Sequence, residues 1–232
     1  KVDSRLGTDF AHRLTERVEI SFPAIDTTSY TDIAKNPHEV DQLLNNRGLE
    51  RDGYVMFLSR IAPAKGVDDL FHAYKSSELY GNKKLIICGN GPMKEEIQKL
   101  VATEQSIAVL DDVSDEEKGA LMHGAFAYCL PSKPRPEFIE TFGIAVAEKM
   151  LAGGNGPVIT TRTGGIPEAT GGFCLEHEAG NVSELRECLN RAYFMTTEER
   201  HALSKRARQF ALNFDRSAIL DNLITRSQAV TA

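Results

Sequence analysis

No apolar run in this chain approaches the roughly 20 residues that a bilayer-spanning helix needs, so no transmembrane segment is expected. The start, Lys1-Val2-Asp3-Ser4-Arg5, has no apolar core behind its basic residue, which argues against a secretory signal. It also has no Met, so a fragment or a processed product is expected. Cysteine is scarce. Cys88, Cys129, Cys174 and Cys188 show neither metal-ligand nor redox spacing. Cys88 and Cys129 lie inside apolar runs and read as buried free thiols, for which a reducing, cytoplasmic setting is the simpler expectation. An excess of positive charge is missing too. The net charge of −6 excludes a broad nucleic-acid surface, because phosphate backbones are held by clustered Lys and Arg, but it leaves room for a local basic pocket. No histidine pair has metal spacing, and His72 and His123 lie on helical patterns as structural residues. There is no internal repeat and no low-complexity segment.

What is present is an ordinary soluble composition: 232 residues, 41% hydrophobic and 26% charged. That suits one large domain, or one domain plus a piece of another. Apolar runs of strand length alternate with helical patterns. Val55–Leu58, Leu85–Cys88, Ile107–Leu110, Ala125–Leu130 and Pro157–Thr161 are apolar on both faces, as parallel strands covered on two sides must be. Helical patterns cover Val67–Ser76, Met93–Thr103, Ser114–His123, Gly143–Ala152 and Val182–Tyr193, and the chain after Thr196 is mostly helical. The alternation predicts an α/β fold: a doubly wound, Rossmann-like parallel sheet with helices on both faces. Val18–Phe22 is a candidate strand leading into a turn-rich stretch. Residues 1–28 are therefore expected to be a connector, 29–212 the binding domain and 213–232 a C-terminal helix.

Ligands of such sheets sit beyond the carboxyl ends of the strands, so the loops that follow the strands are the ones to inspect. After the first comes Ser59-Arg60-Ile61-Ala62-Pro63-Ala64-Lys65-Gly66. Arg60 offers a fork for phosphate oxygens and Lys65 a point charge, although two solvated cations would read the same way. After the second comes Cys88-Gly89-Asn90-Gly91-Pro92. Gly89 and Gly91 permit close ligand approach or simply a tight turn, and the third glycine of a dinucleotide fingerprint is absent. After the fourth, Pro131–Glu140 leads into a helix starting near Thr141–Gly143, whose first amides have no partner of their own and suit a phosphate. After the fifth comes Thr161-Arg162-Thr163-Gly164-Gly165-Ile166-Pro167-Glu168, whose glycine pair marks either a ligand or a tight turn.

Two acids frame the fourth loop and its helix. Glu148 lies four residues after Ile144 and three before Leu151, within an apolar helical row. A carboxylate there needs a partner or a wet cleft, and a structural salt bridge would serve equally well. Lys149, next door, points elsewhere. From Glu140 to Glu148, eight helical residues would rise about 12 Å. Glycosidase carboxylate pairs are closer, at about 5–9.5 Å. The spacing suits the two ends of an extended ligand better than a hydrolytic dyad.

Taken in order, Ser-Arg-x4-Lys-Gly, Gly-x-Gly-Pro, Pro-Ser, Glu-x-Phe-Gly-x4-Glu and Gly-Gly-Ile-Pro-Glu resemble the retaining GT-B glycosyltransferases of family four, the glycosyl transferases group 1. The resemblance runs from about Val18 to the C-terminus and matches the C-terminal, donor-binding half of that fold. The preceding Rossmann-like lobe, which carries most of the acceptor site, would be missing, and residues 213–232 would cross back to it. The resemblance implies that Arg60, Lys65 and Glu140 are catalytic. Arg60 and Lys65 would stabilise the leaving diphosphate, and Glu140 would hold hydroxyls of the transferred sugar. Donor contacts would come from Thr141, the amides of Phe142 and Gly143, and Ile144, with Glu148 on the ribose hydroxyls. Gly89, Gly91, Val109 and Leu110 would lie near the base. The family usually has glycine where Asp111 stands and often alanine where Lys149 stands, and its loop corresponding to Lys133–Ile139 is often shorter.

The implied reaction transfers a sugar, with retention, from a nucleotide sugar, a UDP- or GDP-sugar first, to a carbohydrate, lipid-linked or small-molecule acceptor. No cofactor, metal or nucleic acid is expected. The chain by itself is expected to bind donor weakly and transfer little. Its expected compartment is the cytoplasm, with peripheral membrane association allowed for the intact protein. Two other readings fit the same loops: a non-catalytic nucleotide-sugar-binding module and a GT-B nucleotide-sugar epimerase.

Overall fold

The computed structural model describes residues 21–230, with short pieces at 7–9 and 12, and side chains through 225. Most of the connector expected over 1–28, and the Val18–Ile20 part of its candidate strand, lie outside the described residues. Ser21 and Phe22 are described and are not in a strand.

Six parallel strands form one sheet in the order β3-β2-β1-β4-β5-β6: β1 (Tyr54–Leu58), β2 (Lys84–Cys88), β3 (Ile107–Leu110), β4 (Ala127–Leu130), β5 (Val158–Thr161) and β6 (Leu175–His177). The registers are continuous, with Val55 opposite Leu85 on one side and Ala127 on the other. β1, β4 and β5 are buried along almost their whole length, as strands covered on both faces must be. Five of the strands coincide with the five apolar runs to within a residue or two. β6 has no such run: it is a short edge strand with Glu176 half-exposed between buried Leu175 and His177.

The described helices are α1 (Thr28–Ile33), α2 (Pro37–Asn46), α3 (Val67–Lys75), α4 (Lys94–Val101), α5 (Asp115–Gly124), α6 (Ile144–Ala152), α7 (Ile166–Thr170), α8 (Val182–Phe194), α9 (Thr197–Ala211) and α10 (Arg216–Val230). Several of their starts follow from the sequence. Ser114 and Glu117 form a reciprocal cap at the head of α5, and Thr196 and Glu199 do the same for α9. Asn36 caps α2 with Pro37 in its first turn. α3 packs against α8, while α6 contacts α1, α5 and α9. The helix layers on the two sides of the sheet exchange where the strand order reverses, between β1 and β4.

The segment leading into the domain and the segment leaving α9 meet. Ile25 N–H donates to the Phe214 carbonyl at 2.9 Å, and Arg216 N–H donates to the Ile25 carbonyl at 2.9 Å. Phe22 stacks edge-on against Phe214 at 5.5 Å, and Phe142 does so at 5.0 Å. Cys88 and Cys129 are buried free thiols, and burial pushes the Cys88 thiol up to about 12. Among the described residues no helix is long and apolar enough to cross a membrane.

Candidate functional site

The loops after β1 and β4 flank the reversal point of the sheet. The Lys133 amide donates to the Ala64 carbonyl at 2.9 Å. Across this contact the Lys65 ammonium forms an ion pair with the Glu140 carboxylate. Both side chains are largely buried, at 15% and 11% exposure. Ser132, fully buried, directs its hydroxyl at the same carboxylate at 3.4 Å, and its carbonyl accepts from the Thr161 hydroxyl at 2.6 Å. The Lys65 ammonium also lies over the Phe138 ring, 4.8 Å from its centroid. Glu140 thus has a cation and a hydroxyl in its immediate surroundings, and the cation in turn lies over an aromatic ring. Arg60 is exposed on the same loop and forms no ion pair or side-chain hydrogen bond with any described residue.

Glu140 lies in the loop, not on α6. The helix begins at Ile144, and Gly143 precedes it in a left-handed conformation, φ 90°. The side chain of Phe142 turns inward, 5% exposed, onto Phe22 and Phe214. Gly143 is buried beside it, while Thr141 and Ile144 on either side are exposed. The amides of Phe142, Gly143, Ile144 and Ala145 donate to no described residue. Four consecutive free donors at the positive end of a helix make an anion-binding cradle. Thr141 is exposed beside it.

The loop is held from behind. A Cβ on Gly164 would fall 1.8 Å from the Glu140 carbonyl, and one on Gly165 would fall 2.1 Å from that of Thr141. The Gly165 amide donates to the Glu140 carbonyl at 2.8 Å. This glycine pair therefore exists so that one loop can press its backbone onto another. Gly89 and Gly91 have the same explanation, since a Cβ on either would strike the carbonyl of Ser59 or Ile61. Gly89 also donates to the Leu110 carbonyl at 2.9 Å, which joins the ends of β2 and β3 near Val109 and Leu110. Asp111, just beyond, is paired with Lys94 at the head of α4.

Glu148 stands on α6 one turn below Ile144. The row it occupies is not uniformly apolar core: Ile144 is 50% exposed, Leu151 is buried, and Glu148 is half-buried between them. Its carboxylate faces the Tyr30 phenol of α1. Burial raises the Tyr30 pKa, and the charge of Glu148 and a hydrogen bond to it raise it further. Tyr30 gives no sequence signal for this contact. Neither does Lys133 for its own. It reaches back to Asp68 at 3.1 Å and Asp69 at 2.9 Å, anchoring the long loop to the first turn of α3. Lys149 is fully buried and directed away from Glu148, with its ammonium on the Gly153 carbonyl at 2.5 Å.

Residues 41–210 match the family described as Glycosyl transferases group 1. The chain is 28% identical over 201 residues to an MMP alpha-(1->4)-mannosyltransferase of Mycolicibacterium hassiacum, covering 77% of this chain and 47% of that protein. It is 25% identical over 164 residues to a GDP-mannose-dependent alpha-(1-6)-phosphatidylinositol monomannoside mannosyltransferase of Mycolicibacterium smegmatis, covering 69% and 41%. It thus spans less than half the length of these curated relatives. Among solved structures, HepE of Anabaena in complex with UDP-glucose superposes with a TM-score of 0.76 at 20% identity, covering 92% of this chain and 58% of that one. At that identity the likeness is one of fold.

Proposed function

The chain belongs to the glycosyl transferases group 1 family, and from that premise we propose that it is the donor-binding half of a retaining glycosyltransferase that uses a nucleoside diphosphate sugar. The observation that carries this reading is the pairing of a largely buried cation, Lys65, and a largely buried acid, Glu140, beside four unpaired amides at the head of α6. A diphosphate needs positive charge that is already in place when its negative charge grows on departure. Fixed amides and a held lysine supply that without reorganisation. Arg60, exposed and unpaired, is free to add a fork to the outer phosphate oxygens. Glu140 then acquires a second role. Once the diphosphate claims Lys65, its carboxylate can accept hydrogen bonds from sugar hydroxyls. Glu148, at the wet edge of its helix with Tyr30 behind it, would take the ribose hydroxyls. Relatives named for GDP-mannose and a fold neighbour solved with UDP-glucose support a UDP- or GDP-sugar as donor. The acceptor site would be completed by a second lobe, with the sugar passed to an acceptor hydroxyl across the cleft.

Calorimetry with UDP-, GDP- and ADP-sugars tests the binding half of this reading. Saturable binding of at least one of them, weakened by Lys65→Ala and by Glu148→Ala, is expected. No binding of any nucleotide sugar, or binding indifferent to both substitutions, would overturn it. Transfer itself is read in the whole enzyme with radiolabelled donor. Release of free nucleotide and an altered sugar without any acceptor would instead favour an epimerase.

A further inference from the structure

At the opposite end of the sheet, where the strands begin, lies a cavity of about 320 Å³ between the end of α5, the turn after α6 and one face of α9. His123, His201, Lys205 and Arg208 line it, together with Ser204 and Asn155, and no aspartate or glutamate does. In a chain of net charge −6 that is a local reversal of sign. Lys205 and Arg208 form no ion pair or side-chain hydrogen bond with any described residue, and Arg208 Nε is buried without a partner. Arg208 lies flat on the Gly153 turn, since a Cβ on that glycine would come within 3.2 Å of its Cδ. The Asp52 carboxylate, which reaches toward this corner, is already engaged by Asn155 Nδ2 at 3.1 Å.

The negative end of α6 does not account for these cations. The Ala152 carbonyl accepts from His123 Nδ1 at 2.7 Å, and the Gly153 carbonyl accepts from the Lys149 ammonium. His123 is lowered by burial, and Lys149, Arg51 and Arg208 lower it further, so positive charge is crowded at this spot. An unpartnered guanidinium, a free ammonium and a hydroxyl around one space are what an oxyanion requires.

We propose that this cavity is a second anion site, distinct from the cradle at the head of α6, and that its ligand is a phosphate group, free or as the monoester of a small sugar. The phosphate oxygens accept from Arg208 and Lys205, with the Ser204 hydroxyl completing the shell; His201 Nδ1 is turned to Asn155 Oδ1 at 3.2 Å. The volume lies in the range of small-molecule sites, so it has room for more than the phosphate alone. This site stands on different residues from the proposed donor site and does not depend on that reading.

The test is a titration of the ¹⁵N-labelled 232-residue chain with inorganic phosphate, and separately with glucose 6-phosphate, each at ionic strength held constant with chloride. Saturable shifts of the Gly153, Gly154 and Asn155 amides are expected. Lys205→Gln and Arg208→Gln should each weaken them about five-fold or more, the loss of one charge-assisted bond. Lys205 is exposed, so its variant keeps the test sound even if Arg208→Gln disturbs packing. The Arg60→Ala, Lys65→Ala double variant should leave them unchanged. Equal affinity for the two ligands assigns the site to phosphate itself, and tighter binding of the second assigns it to the monoester. Linear shifts without saturation, shifts that survive Lys205→Gln, or shifts confined to the amides of Phe142–Ala145 would overturn the proposal.

Discussion

Lys65 and Glu140 are 75 residues apart in the chain, and their side chains form an ion pair across the point where the strand order of the sheet reverses. The pair is held on both sides, by the Ala64 to Lys133 backbone contact and by Ser132. A donor that takes Lys65 must break this pair, so the two residues should contribute differently to binding. Lys65→Ala is expected to weaken nucleoside diphosphate binding by about 1.5–3 kcal/mol through loss of a hydrogen bond to a charged group. Glu140→Gln should leave the nucleoside diphosphate within a few-fold of wild type, or tighten it, and remove the extra affinity contributed by the sugar. Calorimetry with the nucleotide and the nucleotide sugar side by side separates the two outcomes.

Glu148 and Tyr30 form the second pair to probe. Glu148→Ala is expected to cost about 1–3 kcal/mol in nucleoside diphosphate affinity. Tyr30→Phe removes only the phenol that steadies the carboxylate and should give a smaller loss with an unchanged fold. Unchanged affinity in a folded Glu148→Ala variant would remove the ribose role.

Gly164 probes the support behind the loop. Its φ of 58° and the 1.8 Å approach of the Glu140 carbonyl leave no room for a methyl group. Gly164→Ala is expected to destabilise by about 2–4 kcal/mol. If the loop yields instead, sugar-dependent affinity should fall with little change in melting temperature. A variant with both properties intact would refute the support role.

Lys149 sets a pH dependence. Burial pushes its ammonium down to about 7 from an ordinary 10.5. Below about 7 both the folded and the unfolded chain carry the proton, and the native state bears the cost of the buried charge. Between about 7 and about 10.5 the unfolded chain still holds a proton that the native one has released, so stability should rise with pH across that window. Urea unfolding at about pH 7, about 8 and about 9.5 should show the rise in wild type and a flatter curve in Lys149→Met, with the variant the more stable at the lowest of the three. A parallel rise in both proteins would assign the effect to another group.

The sheet is legible in the sequence because its interior strands are apolar on both faces. Tyr54–Leu58 and Val158–Thr161 announce themselves wherever they are read. Leu175–His177 does not, because an edge strand of three residues with Glu176 in the middle has no run to detect. α2 is legible in principle, since Asn36-Pro37 with Glu39 two residues on is a helix start, but in the short α1 before it the N-cap Thr27 makes no capping bond and the first turn has no acid. At the site, the order of loops points to Lys65, Glu140 and Glu148, while their contacts stay invisible. Nothing local in Tyr30 or Lys133 says that one will meet Glu148 and the other will meet Asp68 and Asp69. The glycine pairs are legible by half: their tightness is evident, but what approaches them so closely is protein backbone.

The meeting of Ile25 with Phe214 and Arg216 has a mechanical consequence. The polypeptide enters and leaves the folded body at one corner, where two backbone hydrogen bonds, the Thr27 hydroxyl on the Asp215 carboxylate and a small aromatic cluster join the two crossings. A load carried along either segment would therefore be delivered to the same point of the folded body.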